Sequence, residues 1–128
     1  WVSERAFARV TPTTVQSTRY DRYRSLRERL VDGGLNVVTP PAPPGSSPYG
    51  VGVLLSSESE RNGLLARLYR EQLPSEILTW PPVHRSDAVE SFAGGMALRR
   101  RLVIFPTHQQ VPRSAVGRLA NAVLTHVE

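Results

Sequence analysis

No lysine occurs anywhere in this chain; all 16 basic side chains among its 128 residues are arginine. Schiff-base chemistry needs an amine side chain, so this polypeptide cannot by itself carry out catalysis of that kind. Cysteine is absent too. That excludes a disulfide framework and thiolate chemistry, and a cytoplasmic setting is the expected one. Long apolar runs are also missing: residues 51–55 and 102–105 are far too short to cross a bilayer. No secretory leader is legible, and the chain opens on Trp1 and not on Met, which suggests a fragment or a processed chain.

What is present points to a folded protein. A hydrophobic content of 40% with 21% charged residues suits a compact core and argues against disorder. The expectation is one domain over residues 1–128, with 1–13 as an opening segment and 14–128 as a small α/β unit. The net charge of +5 raises the question of a nucleic-acid partner. Only Arg99, Arg100 and Arg101 form a run, and the other arginines are scattered. The charge is therefore read as a solvated surface with a compositional bias toward arginine, and nucleic acid is the lesser alternative.

Periodicity gives the elements. Tyr23, Leu26 and Leu30 recur at helical spacing within residues 14–31, with arginines on the other faces, and Asp32-Gly33-Gly34 ends that helix. Residues 35–39 are a short strand candidate. Pro40, Pro41, Pro43, Pro44 and Pro48 exclude a central strand and demand a surface connection, with polyproline docking as the functional alternative. Tyr49, Val51, Val53 and Leu55 alternate as in a half-buried strand. Ser57 and Glu60 have the spacing of a capping box, so a helix should run to about residue 72 with Leu64, Leu65 and Leu68 inward, closed by Pro74. Residues 76–80 are rich in strand formers. Ser86 or Asp87 is a candidate cap for a short helix, interrupted at Gly94-Gly95. Residues 102–105 form a buried strand ended by Pro106, and a last helix starts near Pro112 with Val116, Leu119, Val123 and Leu124 inward. The order α-β-β-α-β-α-β-α predicts an α/β (α+β) sandwich: helices packed on a small antiparallel or mixed sheet of three or four strands. Its core should gather Val51, Val53, Leu55, Leu65, Leu68, Val103, Ile104, Phe105, Leu119 and Val123.

Sites for chemistry are few. His84, His108 and His126 lack a second ligand at zinc-motif spacing, so no metal site is expected. No nucleophile elbow and no glycine-rich phosphate loop is present, and no residue is assigned as catalytic. Two polar clusters follow predicted strands, one containing Trp80, His84 and Arg85, the other His108 and Gln109. Read from spacing alone, both are ordinary surface loops with Trp80 in the core.

The ordered set of segments adds something further. Residues 98–109, LRRRLVIFPTHQ, resemble the stretch "LS.R.L.LP.HQ" near the end of DegT/DnrJ/EryC1/StrS aminotransferases, fold-type I enzymes that use pyridoxal phosphate. YDRYRSLRERL at 20–30 resembles that family's "R..NY..L...L" helix; Pro48-Tyr49-Gly50-Val51 and the helix after it resemble "PY.FP.L…R..L...L…GI"; residues 80–84 sit where members carry "W/Y.PLH". The resemblance runs over roughly residues 20–123. It implies the C-terminal small domain of such an enzyme, packed beside a large pyridoxal-phosphate domain in the same chain or another. It also implies a keto-sugar-type substrate for the complete enzyme. Trp80, His84 and Arg85 would then lie nearest the substrate, with Tyr49, His108 and Gln109 beside them. The departures are specific. The Schiff-base lysine, the acid that pairs with the pyridine nitrogen and the phosphate loop have no counterpart here. Val51-Gly52 stands where an aromatic-proline pair is usual, and the Leu that often precedes the family's proline is missing before Pro106. A freestanding interaction module of the same fold is the alternative.

Overall fold

The computed structural model describes residues 11–74 and 93–127. Within them, the order is α1 (Pro12–Asp32), β1 (Gly50–Leu54), α2 (Glu58–Arg70), α3 (Ala93–Arg101), β2 (Leu102–Pro106) and α4 (Arg113–Val127). The expected strand at 76–80 and the expected cap at Ser86 or Asp87 lie outside the described residues.

Helix α1 starts two residues before the expected position because Thr11 caps it and Pro12 occupies the first turn, where a missing N–H costs nothing. Its end is a Schellman closure. The Leu35 N–H bonds to the Leu30 carbonyl and the Gly34 N–H to the Val31 carbonyl, with Gly34 at φ 80. Helix α2 begins at the predicted cap: the Ser57 side chain accepts from the Glu60 N–H, and the Glu60 carboxylate reaches back to the N–H and hydroxyl of Ser56. Those bonds hold the Glu60 carboxyl below its ordinary range, with the Ser56 side-chain bond the largest cause. Its end repeats the geometry of α1, with Leu73 bonded to the Leu68 carbonyl and Gln72 to that of Tyr69. Here the left-handed position is held by a side-chain-bearing residue, Gln72 at φ 52.

Strands β1 and β2 pair antiparallel, Gly50 opposite Pro106 and Leu54 opposite Leu102. The pairing is close at one end: a Cβ on Gly50 would stand 2.7 Å from the Phe105 carbonyl oxygen, so only glycine fits there. Among the described residues the sheet has two strands. Residues 35–39 do not form the full strand expected of them. They contribute one bridge, Val37 to Val53, with the Val38 N–H on the Gly52 carbonyl and the Leu54 N–H on that of Asn36. The ladder cannot continue because Pro40 and Pro41 have no N–H to offer.

Helix α3 has Gly94 and Gly95 in its first turn; the residues before Ala93, where the helix interrupted at these glycines was expected to begin, lie outside the described residues. Its last turn is fastened. The Arg61 guanidinium donates to the Arg99 carbonyl, the Leu55 N–H to that of Arg101, and Arg101 Nε to the Leu55 carbonyl. The first two satisfy carbonyls that a helix end leaves open, and the third ties the Arg101 side chain back to Leu55.

One hydrophobic cluster joins α1, α2 and α4 to a single face of the sheet. Tyr23, Leu26 and Leu30 of α1 meet Val51, Val53, Val103 and Phe105 of the strands, Leu64 and Leu68 of α2, and Val116, Leu119 and Val123 of α4. Two of the expected core residues differ. Ile104 is only partly buried, since the period of two turns it to the other face of β2, and Leu65 packs against the cluster from its edge. Leu124 of the expected α4 stripe is likewise partly buried.

Leu119 is fully buried at the centre of α4, and Leu119→Ala is expected to lower unfolding stability by about 2–5 kcal/mol in urea titrations. Gln72→Gly should do the opposite, raising stability by about 0.5–1 kcal/mol, because glycine occupies the left-handed region without the Cβ penalty. An unchanged or lowered urea midpoint for Gln72→Gly would contradict the strain argument.

Candidate functional site

Antiparallel register brings the entry to β1 and the exit from β2 to the same end of the sheet. Tyr49 precedes Gly50, Thr107 follows Pro106, and the Thr107 N–H donates to the Tyr49 carbonyl at 2.9 Å, extending the pairing by a residue. Thr107 is the buried polar residue here; its hydroxyl donates to the Pro48 carbonyl at 3.1 Å. The two loops are thus bonded to each other, and two of the expected site residues become neighbours. The Tyr49 and His108 rings stand 6.4 Å apart, tilted by 37°. Tyr49 is 54% exposed, so this face is open to solvent or to another molecule.

Helix α1 supports that end from below. Arg19 Nε donates to Gln109 Oε1 at 2.9 Å, and Arg22 Nη1 to the His108 carbonyl at 2.7 Å. The Val111 N–H shares that carbonyl, and the Gln110 N–H points to His108 Nδ1 at 3.3 Å. The proline-rich segment is held in the same manner, by the Tyr23 hydroxyl on the Pro40 carbonyl and Arg27 Nε on that of Thr39. Burial, and then the nearby charge of Arg113, lower the Arg22 guanidinium from its ordinary value.

The structure therefore joins Tyr49, His108 and Gln109 into one cluster, while Trp80, His84 and Arg85 lie outside the described residues. The supporting arginines are not among the residues that the sequence singles out, where they fall on faces away from the core. Their i, i+3 spacing at Arg19 and Arg22 is the available signal, but nothing in spacing tells a solvated arginine from one that reaches a loop carbonyl. A phenol, an imidazole, a carboxamide and a guanidinium at one loop edge are suited to stacking and to hydrogen bonding a polar ligand.

A small two-stranded sheet with helices on one face, and polar loops gathered at one end, is the architecture of an α+β module. Solved structures similar to this chain include parts of aminotransferases. The chain is similar to a DegT DnrJ EryC1 StrS aminotransferase from Brucella abortus, with a TM-score of 0.64 and 21% identity over 88% of this chain and 31% of that one. It is also similar to the aminotransferase TlmJ from Streptoalloteichus hindustanus, with a TM-score of 0.63 and 26% identity over 84% of this chain and 31% of the other. A third likeness, at 13% identity and a TM-score of 0.57, is to Spr1654 from Streptococcus pneumoniae, which carries the name of a sugar aminotransferase and was captured in its PMP form; it covers 87% of this chain and 31% of that one. The chain thus spans about a third of the length of these enzymes. No protein-family model matches it, and no curated relative does. No helix among the described residues is long and apolar enough to cross a membrane.

Thr107→Val removes the hydroxyl that ties the two loops while keeping the shape of the side chain. It should destabilise the fold by about 1–2 kcal/mol by leaving the Pro48 carbonyl without this donor. Faster amide exchange at Thr107 and His108 should accompany that loss.

Proposed function

We propose that this chain is the C-terminal domain of a pyridoxal-phosphate aminotransferase of the sugar-aminotransferase type. In this reading it packs beside a large cofactor-binding domain and shapes one side of the substrate cleft. The observation that carries the reading is the pattern of coverage: nearly the whole of this chain matches about 31% of each aminotransferase chain. A small domain detached from a larger enzyme gives that pattern.

The chain's own residues do not fit the cofactor. Anchoring pyridoxal phosphate takes a lysine amine, and none of the 128 residues is lysine. The anchor and its chemistry therefore belong to the large domain. What this chain offers is recognition. Tyr49, His108 and Gln109 form one polar edge, and Trp80, His84 and Arg85 are assigned to the same cleft from the sequence resemblance. A keto-sugar carries hydroxyls that such donors and acceptors would bond, so these residues set which carbonyl compound is accepted and leave the transfer chemistry elsewhere. A cytoplasmic setting agrees with this role.

The reading frame upstream of Trp1 gives the first test. It should encode, in frame, a segment with a strand-borne lysine, and the complete product should show visible aldimine absorbance that borohydride bleaches. In that product, His108→Ala should raise the KM for the amino acceptor about tenfold or more, the effect of one lost polar contact of about 1.4 kcal/mol, and leave the absorbance in place. A stop codon or a start codon immediately before Trp1 would sink the proposal in favour of a freestanding module.

A further inference from the structure

We infer that the groove between α1 and α4 is a binding site for a phosphate-bearing small molecule. It is a separate place from the Tyr49–His108 edge, and the inference does not depend on the aminotransferase reading. The two helices pack against each other below the loop that follows β2. Where their surfaces diverge, they enclose an open cavity of about 480 Å³, lined by Arg22, Ser25 and Arg29 of α1 and by Arg113 and Ser114 of α4. That volume lies within the range of small-ligand sites and exceeds what one water or one ion needs.

The titratable lining of this cavity is mostly basic. Three guanidinium groups line it against one carboxylate, that of Asp21. The ion pairs among the described residues are Arg61 with Glu58, Arg67 with Glu71, and Arg100 with Glu58, so Arg22, Arg29 and Arg113 make none. Arg22 and Arg113 are close enough for one to disfavour the charge of the other. Three like charges beside a single carboxylate repel on balance, and a bound anion would convert that repulsion into attraction.

The walls supply the hydrogen bonds as well. Arg113 and Ser114 open the first turn of α4, which has no acidic side chain to occupy its N–H groups. The hydroxyls of Ser25 and Ser114 add neutral donors. Arg22 is fixed in place by its bond to the His108 carbonyl, so one fork of the site is already oriented. Guanidinium forks suit the paired oxygens of a phosphate, whereas a monovalent halide would use only the charge.

Calorimetric titration of the full chain in low salt tests this, with inorganic pyrophosphate and UDP as probes. Both should bind, and added salt should weaken them. Amide shifts of Ser114 and Gly117 should move in the NMR spectrum. Arg113→Gln and Arg29→Gln, both at exposed positions, should each weaken binding about tenfold or more, as expected for a lost charge-assisted contact. Arg100→Gln, on the remote helix α3, should leave binding unchanged. Equal binding of the two probes would assign the site to phosphate groups as such, and tighter binding of UDP would assign it to phosphates carried on a larger molecule. The inference is overturned if neither probe binds, if Arg100→Gln weakens binding as much as Arg113→Gln, or if a short oligonucleotide binds more tightly than UDP and is indifferent to Arg113→Gln.

Discussion

A peptide segment rich in proline has carbonyls to satisfy and few N–H groups with which to build a ladder, and α1 resolves that constraint here. Pro40, Pro41, Pro43, Pro44 and Pro48 deprive the link into β1 of its own hydrogen-bond donors. The partners come from outside. The Tyr23 hydroxyl, Arg27 Nε and Gln16 Nε2 reach the carbonyls of Pro40, Thr39 and Gly45. Arg22 does the same for His108 in the opposite loop. One helix therefore turns an apolar stripe to the core and a donor-rich face to two loops. Arginine is well suited to bridging of this kind, because its planar group stays charged and donates in fixed directions.

Much of the architecture could be read from local chemistry. Ser57 with Glu60 marked the start of α2, Pro112 the start of α4, and Gly33-Gly34 the end of α1, because caps and breakers act through groups a few residues apart. The alternation at Val51, Val53 and Leu55 identified one face of β1 for the same reason. The expected strand at 35–39 failed for an equally local reason. Residues 35–39 have strand composition but lose their ladder to the prolines that follow. Gly94 and Gly95 lie in the first turn of α3, a helix fixed at its far end by Arg61 and Leu55.

The site was legible to a lesser degree. His108 and Gln109 stood out because they follow a buried strand and a proline, and Tyr49 because it resembled a family position. Their proximity required the register of β1 on β2, which no local pattern encodes. The arginine groove has no signature in the sequence at all. Arg22 and Arg113 are far apart along the chain, and only the packing of α1 on α4 makes them neighbours.

The participation of α4 in the core bears on how the chain is made. Leu119 and Val123 complete a cluster whose other members, Leu26, Leu30, Leu64 and Leu68, are synthesised much earlier. Until α4 is made those leucines lack part of their cover, and β1 waits for β2, which precedes α4. Between the synthesis of α1 and that of α4 the core stays open, and it closes only when the last of these helices is available.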